Sequence, residues 1–268
     1  MAMSIRGWIR GVCAVVLLAT VSAPAYAELT LWLKYHYAAV DALNDGRVED
    51  AKSLFEAAEG ESSRTMPVNN FRLASTLDGL GQVYFAKGDF DTAEAYFQRA
   101  LDMRREVLGP HTRDVPEAVL HLAEVKYAKS DSAMAERLFR QVLLILVADQ
   151  TNVNVCKSLD GLARIQHDRG NIVEAESLLL RSRDLHLLAE RRYDPAYAKT
   201  VAALGAFYAS TGKLANAKLA YDDALVVARR ALRRDHPDIK QYESGYNGVV
   251  QMMKTAALPT EVEARDAG

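Results

Sequence analysis

The sequence predicts an all-α solenoid, a stack of helix-turn-helix units, and three observations predict it. A small residue recurs at steps of 42, 42, 40 and 42: Gly46, Gly88, Ser130, Gly170 and Gly212. Five residues after each stands an alanine, Ala51, Ala93, Ala135, Ala175 and Ala217. Bulky and small residues flank these marks at helical spacings on both sides. A fixed period of this length is the signature of repeat architectures, in which each unit buries its apolar face only against its neighbours.

Composition agrees with a packed, water-soluble chain. Of 268 residues 50% are hydrophobic and 25% charged, with a formal net charge of −2. That balance excludes a disordered, collagen-like or disulfide-framework chain, and it supplies no basic field for gripping nucleic acid.

The first 27 residues stand apart from the repeat. Arg6 and Arg10 make a basic start, Val12–Val21 is an apolar core, and Ala25-Tyr26-Ala27 has the small-x-small form of a cleavage site. This is the three-part pattern of a secretory signal peptide, with an apolar run well short of the ~20 residues of a membrane span. Residues 1–27 are therefore expected to be removed near Ala27, leaving no membrane span, and the product is expected in the periplasm or outside the cell. Cys13 goes with the signal, so Cys156 is left alone and no internal disulfide can form. With no basic cluster beside it, Cys156 is expected to be a small packing residue.

Residues 28–255 are expected to form the solenoid. Nine residues after each turn mark come Phe55, Phe97, Phe139, Leu179 and Tyr221, and twelve after come Ala58, Ala100, Val142, Ser182 and Ala224. Seven before stand Ala39, Gly81, Ala123, Ala163 and Gly205; eight before stand Ala38, Leu80, Leu122, Leu162 and Leu204. These offsets are helical on either side of the mark, so each unit is two helices joined by a tight turn. Small positions let the two backbones approach, bulky ones fill the space beside them, and the turn residue must leave the right-handed region. Pro116, Asp194-Pro195 and His236-Pro237 mark helix starts. Gln241–Thr255 is expected to be a closing helix, because Tyr246 and Asn247 fall 42 residues after Leu204 and Gly205. Residues 256–268 are small, acidic and contain a proline, which predicts a flexible tail.

Leu77, Leu80, Gly81 and Tyr84, with Gly88, Ala93, Phe97 and Ala100, resemble the tetratricopeptide repeat pattern W-x2-L-G-x2-Y…G…A…F…A. Val201, Leu204, Gly205, Tyr208, Gly212, Ala217, Tyr221 and Ala224 resemble it equally. The 42-residue period, the run from Arg99 to Pro110 with His111 and Asp114-Val115, and Asp235-His236-Pro237-Asp238-Ile239 are similar to the kinesin-light-chain-like subclass. Lys126 and Ser130 in unit three and Gln166 and Ser182 in unit four depart from the pattern.

Signatures of chemistry are absent. The sequence has no G-x-x-x-x-G-K-[ST], H-E-x-x-H, C-x-x-C or G-x-S-x-G motif. Asp41-x-x-x-Asp45-Gly46 has the outline of a calcium loop, but Leu43 stands at a ligand position and Lys52 where the bidentate Glu belongs. His111 and His236 are expected to cap helices, and His121, His167 and His186 have no ligand partner at helical spacing. Arg229, Arg230, Arg233 and Arg234 suit the end of one long helix. No catalytic residue, cofactor or metal is expected.

The resemblance implies a right-handed superhelix whose concave side is lined by the first helix of each unit, with partner-facing positions ten, six and three residues before the turn. Those are His36, Asp78, Leu120, Asp160 and Ala202; Val40, Gln82, Glu124, Arg164 and Ala206; Leu43, Phe85, Tyr127, His167 and Ala209. The expected peptide-binding groove is therefore Asp78, Gln82, Phe85, Glu124, Tyr127, Asp160, Arg164 and His167, with Phe85 and Tyr127 as anchors and Arg164 as the charge selector. A Lys/Asn clamp for a carboxylate is unmatched, because Asp78 and Asp160 stand where cations or amides are needed. The expected function is that of an exported, non-catalytic scaffold holding a peptide segment of an envelope or secreted partner. A self-assembling structural oligomer is the alternative.

Overall fold

The computed structural model describes residues 23–65, 71–108 and 114–256. Its eleven helices among the described residues come in five pairs and a closing member: α1 Ala23–Asn44 and α2 Val48–Thr65, α3 Phe71–Ala86 and α4 Phe90–Leu108, α5 Val115–Ala128 and α6 Ser132–Ile145, α7 Val153–Asp168 and α8 Ile172–Leu188, α9 Pro195–Ser210 and α10 Leu214–Ala231, then α11 Pro237–Ala256. The basic start and apolar core expected of a signal peptide, the tail beyond Ala256, and His111 lie outside the described residues. The Ala25-Tyr26-Ala27 triplet falls in the first turns of α1.

The period marks the turn inside each pair. All five turn residues are left-handed, with φ of 75° at Gly46, 78° at Gly88, 64° at Ser130, 79° at Gly170 and 76° at Gly212. In each, the next residue donates its N–H to the carbonyl five back: Arg47 to Ala42, Asp89 to Tyr84, Asp131 to Lys126, Asn171 to Gln166 and Lys213 to Tyr208, at 2.8–3.0 Å. This bond needs a left-handed residue to reverse the chain, which glycine adopts without a Cβ penalty. Ser130 takes the same conformation and carries that penalty, of about 1 kcal/mol. Glu190, at φ 57°, ends α8 in the same way, a turn the period does not announce.

Packing follows the marks. Ala51, Ala93, Ala135, Ala175 and Ala217 are completely buried, and the residues nine and twelve after each turn are all buried. The aromatic rings point into glycines: a Cβ on Gly79 would lie 2.3 Å from Phe55, on Gly161 2.3 Å from Phe139, on Gly245 2.5 Å from Tyr221, and on Gly81 2.6 Å from Phe97. Each ring thus sets how closely two helix axes approach.

The odd-numbered helices touch the odd-numbered helix of the next unit, whereas no even-numbered helix touches the next even-numbered one. The stack therefore curves with α1, α3, α5, α7, α9 and α11 on the inside. Ion pairs bridge successive units: the exposed Lys87–Glu49 at 2.7 Å, Lys129–Asp91 at 2.6 Å and Lys213–Glu176 at 2.7 Å, and Arg169 with the buried Glu136 at 2.7 Å. Exposed pairs of this kind are worth well under about 1 kcal/mol each, so the buried core holds the units together.

Two sequence expectations are corrected. The closing helix begins before Gln241, at the Pro237 that the sequence marks as a helix start, where His236 Nδ1 accepts the Asp238 N–H at 3.1 Å and caps it. The four arginines do not share one helix end. Helix α10 stops at Ala231, Leu232 is extended, and Arg233 and Arg234 lie beyond it. Arg229 instead pairs with Glu243 at 2.8 Å, and Arg230 lies 4.0 Å over the Tyr193 ring. Cys156 is buried, and burial pushes its thiol up to about 11.

Candidate binding groove

The inner surface is built from rungs between neighbouring units. Tyr127 Oη donates to Asp168 Oδ2 at 2.7 Å, and Arg164 Nη2 donates to both oxygens of Glu124 at 2.7 and 2.6 Å. Thr200 Oγ1 donates to Asp160 Oδ2 at 2.6 Å, and His167 Nε2 lies 2.9 Å from Ser210 Oγ. Each partner is about one period away, because equivalent inner helices lie side by side.

Of the eight residues expected to face a partner, the structure brings Glu124, Tyr127 and Arg164 into one cluster. The Arg164 guanidinium lies 4.8 Å over the Tyr127 ring while holding Glu124. Burial first, then the bond to Asp168, pushes the Tyr127 phenol up to about 12. Phe85 is half-buried against Phe90, with ring centroids 5.4 Å apart. Gln82 and His167 are half-buried beside the inner surface.

Asp78 leaves the set. It is 4% exposed, and its carboxylate is taken by Gln82 at 3.0 Å, His121 at 3.1 Å and Arg104 at 3.3 Å. Burial alone would raise this carboxyl, but His121, Arg104 and Gln82 overcome it and hold it at about 2. It serves as the keystone of three helices, α3, α4 and α5. Asp160 is also largely withdrawn: burial pushes it up to about 6 against the bond from Thr200, and its Oδ1 has no hydrogen-bond partner.

The solenoid closes on itself. Arg233 Nη1 reaches Asp45 Oδ2 at 3.1 Å, His236 Nε2 meets the Asn44 carbonyl oxygen, and Pro237 Cγ lies 2.9 Å from where a Cβ on Gly46 would stand. This clasp joins the first turn to the loop before α11. It bounds a chamber of about 630 Å3 on the inner side, lined by Leu43, Gln82, Phe85, Phe97, His121 and Glu124 on one wall and by Pro195, Lys199, Leu232, Arg233, His236 and Asp238 on the other. Phe85, Gln82 and Glu124 were anticipated from the sequence. His121, Phe97 and the entire second wall were not, since no spacing rule relates Asp45 to Arg233, 188 residues on. The chamber carries no nucleophile and base in hydrogen-bond contact. Among the described residues no group of three or more His, Cys, Asp or Glu could hold a metal ion, and no helix is long and apolar enough to cross a membrane.

No curated protein matches the sequence. The fold has solved counterparts. BtubC (BKLC) from P. vanneervenii is 18% identical with a TM-score of 0.55, over 82% of this chain and 83% of its own. The nearly identical TPR-like repeats of a Podosopora anserina protein assigned as a kinesin light chain give 19% and 0.52, over 75% and 96%. A Rap protein complexed with competence and sporulation factor gives 13% and 0.67, over 85% of this chain and 64% of the Rap chain. Tetratricopeptide repeat family models match residues 29–106, 72–146 and 198–238, together more than half of the chain. The unmatched stretch between them holds Gln166 and Ser182, two of the departures from the repeat pattern. These repeats typically build surfaces for protein–protein interaction, and this chain belongs to the tetratricopeptide repeat family.

Proposed function

We propose that this protein is an exported, non-catalytic scaffold that holds a peptide segment of an envelope or secreted partner in the chamber on its inner face. The observation that carries this is the chamber itself: a concave space of about 630 Å3 with apolar Phe85, Leu43 and Phe97 beside a few polar groups. Such a lining suits an anchored peptide side chain more than a reaction. A Rap protein of the same fold was solved with competence and sporulation factor bound, which is in keeping with a ligand-holding role. Export rests on the basic, apolar and small-residue pattern of residues 1–27.

The test is crosslinking in the cell followed by pull-down, with the native chain beside Phe85→Ala/Arg164→Glu. A protein captured by the native chain and lost by the variant, at normal helicity, supports the groove. Equal capture by both refutes it. Fractionation of the same cells tests export: retention in the cytoplasm with residues 1–27 still attached refutes that part.

A second reading is self-association through the outer helices. Leu144 on α6, Val173 and Leu188 on α8, and Leu219 and Val226 on α10 are large apolar residues exposed on that side. Light scattering decides it: a concentration-dependent mass above one chain supports a structural oligomer.

A further inference from the structure

One position breaks the repeat where the chamber lies. Gly79, Gly161 and Gly245 occupy equivalent places, and each receives an aromatic ring from the preceding unit. Units one and five have Tyr37 and Ala203 there, and unit three has His121, the member of this column that lines the chamber. The preceding ring, Phe97, packs on Gly81 of its own unit and meets the His121 ring at 4.9 Å. Both rings line the chamber. In repeat proteins a departure from a packing rule at a cavity wall is where function overrides packing.

His121 is set up as a cationic donor. Its Nδ1 lies 3.1 Å from Asp78 Oδ1, and no described protein group meets Nε2, the other nitrogen of a ring that lines the chamber. Burial would lower this imidazole, yet Asp78 raises it. The charges around the ring are Asp78 on α3, Arg104 on α4 bonded to Asp78, Glu117 on α5 and Lys157 on α7. With His121 protonated, three cations face two carboxylates. Elsewhere in the chamber each carboxylate already has its own cation: Glu124 has Arg164, Asp45 has Arg233, and Asp238 has Lys199 at 3.5 Å. The unbalanced charge is therefore on the floor, beside Phe85, Phe97 and Leu43.

We infer that the chamber takes a short ligand carrying a carboxylate next to an apolar group, the carboxylate on His121 Nε2 and the apolar part on Phe85, Phe97 and Leu43. This rests on the reading that the chamber is the binding site, and it narrows the occupant from a long extended segment to a short one. The clasp of Arg233 on Asp45 joins the two ends of the stack beside the chamber, and about 630 Å3 is a small-ligand volume, within the roughly 300–1,000 Å3 of such clefts. A chain's terminal carboxylate and an acidic side chain offer the same chemistry.

Three five-residue peptides ending in Leu-Phe distinguish these sources: one with a free terminal carboxylate, one amidated, and one amidated with a glutamate before the Leu-Phe. Each is titrated into the full chain by calorimetry, with histidine side-chain nitrogen resonances followed in parallel. Binding of the free acid alone identifies a terminal carboxylate, and binding of the glutamate peptide identifies a side chain. The plain amide is expected to bind roughly ten- to hundred-fold more weakly, the loss of one charge-assisted hydrogen bond. The His121 Nε2 resonance should move only with the carboxylate peptides, and His121→Gln should make all three alike. Acid and amide peptides binding equally, or binding with no movement of that resonance, overturns the His121 assignment. No binding by any of the three overturns the short-ligand inference. Either failure leaves the groove reading standing if Phe85→Ala/Arg164→Glu still loses the captured partner. Should His121→Gln lose helicity, the wild-type resonance carries the test.

Discussion

Replacing Gly161 by alanine should weaken the protein, while the same change at Gly60 should strengthen it. Gly161 lies inside α7, where alanine is normally the better helix former by about 1 kcal/mol. Its new Cβ would stand 2.3 Å from Phe139 Cζ and 2.6 Å from both Cε atoms. Carbon contacts are comfortable at about 3.5–4.0 Å, so the ring or the helix must retreat by more than an ångström. Phe139 is 0% exposed and has nowhere to swing. Overpacking of a closed core costs about 1–3 kcal/mol, and the tip-first approach of the ring puts this site at the upper end. After the gain in helix propensity, a net loss of about 1–2 kcal/mol remains. Gly60, inside α2, has no atom within 4 Å of its virtual Cβ, so Gly60→Ala should gain about 0.5–1 kcal/mol. The assay is urea unfolding followed by far-ultraviolet circular dichroism, comparing midpoints at unchanged slope. Shrinking the ring in Phe139→Leu should reduce the cost of Gly161→Ala, a coupling that a double-mutant cycle reads directly. A Gly161→Ala midpoint that rises as Gly60→Ala does would refute the idea that ring-into-glycine contacts set the spacing between units.

Ser130→Gly should stabilise by about 0.5–1 kcal/mol in the same assay, since it relieves a side chain from a left-handed turn that four sister units fill with glycine. Asp160 has its folded value raised to about 6 from an ordinary 3.8, so its ionised form weakens the fold at neutral pH and this penalty fades as pH falls from about 6 towards 4. Asp160→Asn should therefore raise stability by about 1–3 kcal/mol at pH 7 and by little at pH 4, a difference that paired melts will show. Asp78 behaves oppositely: held at about 2, it contributes stability that is present above pH 4 and lost as pH drops through 2, so Asp78→Asn should be destabilising at pH 7. Cys156 should resist alkylation in the folded protein and react fully once the chain is unfolded by denaturant, because its thiolate is disfavoured and its sulfur is covered.

Much of the fold was legible because its rules are local and repeated. The left-handed turn is a backbone requirement satisfied within six residues, and the alanines five residues on are demanded wherever two helices cross closely. The glycines under the aromatic rings were visible as glycines, but the rings over Gly79, Gly161 and Gly245 come from the preceding unit, so their purpose was not. The ion pairs between units were open to the same treatment: Lys87, Lys129 and Arg169 each stand one residue before a turn, with acids in the following helix of the previous unit. The groove was less legible. Position in the repeat selected Phe85, Gln82 and Glu124, which line the chamber, yet it also selected Asp78, which Arg104 and His121 remove from any partner's reach. Whether a carboxylate at such a position faces outwards depends on which cations the adjoining helices bring, and a single unit does not contain them.

By itself the sequence determined the unit: two helices, the turn between them, the buried face of each, and the number of copies. These follow from spacing along one chain and from steric demands that act within a few residues. Only the tertiary structure decided that five units and a closing helix curve far enough for Asp45 to meet Arg233, and that a chamber with His121 on its floor lies behind them. The curvature is the sum of small rotations set at every helix-to-helix contact. Because each rotation depends on how whole side chains interlock, the place where the two ends meet is written in no single stretch of residues.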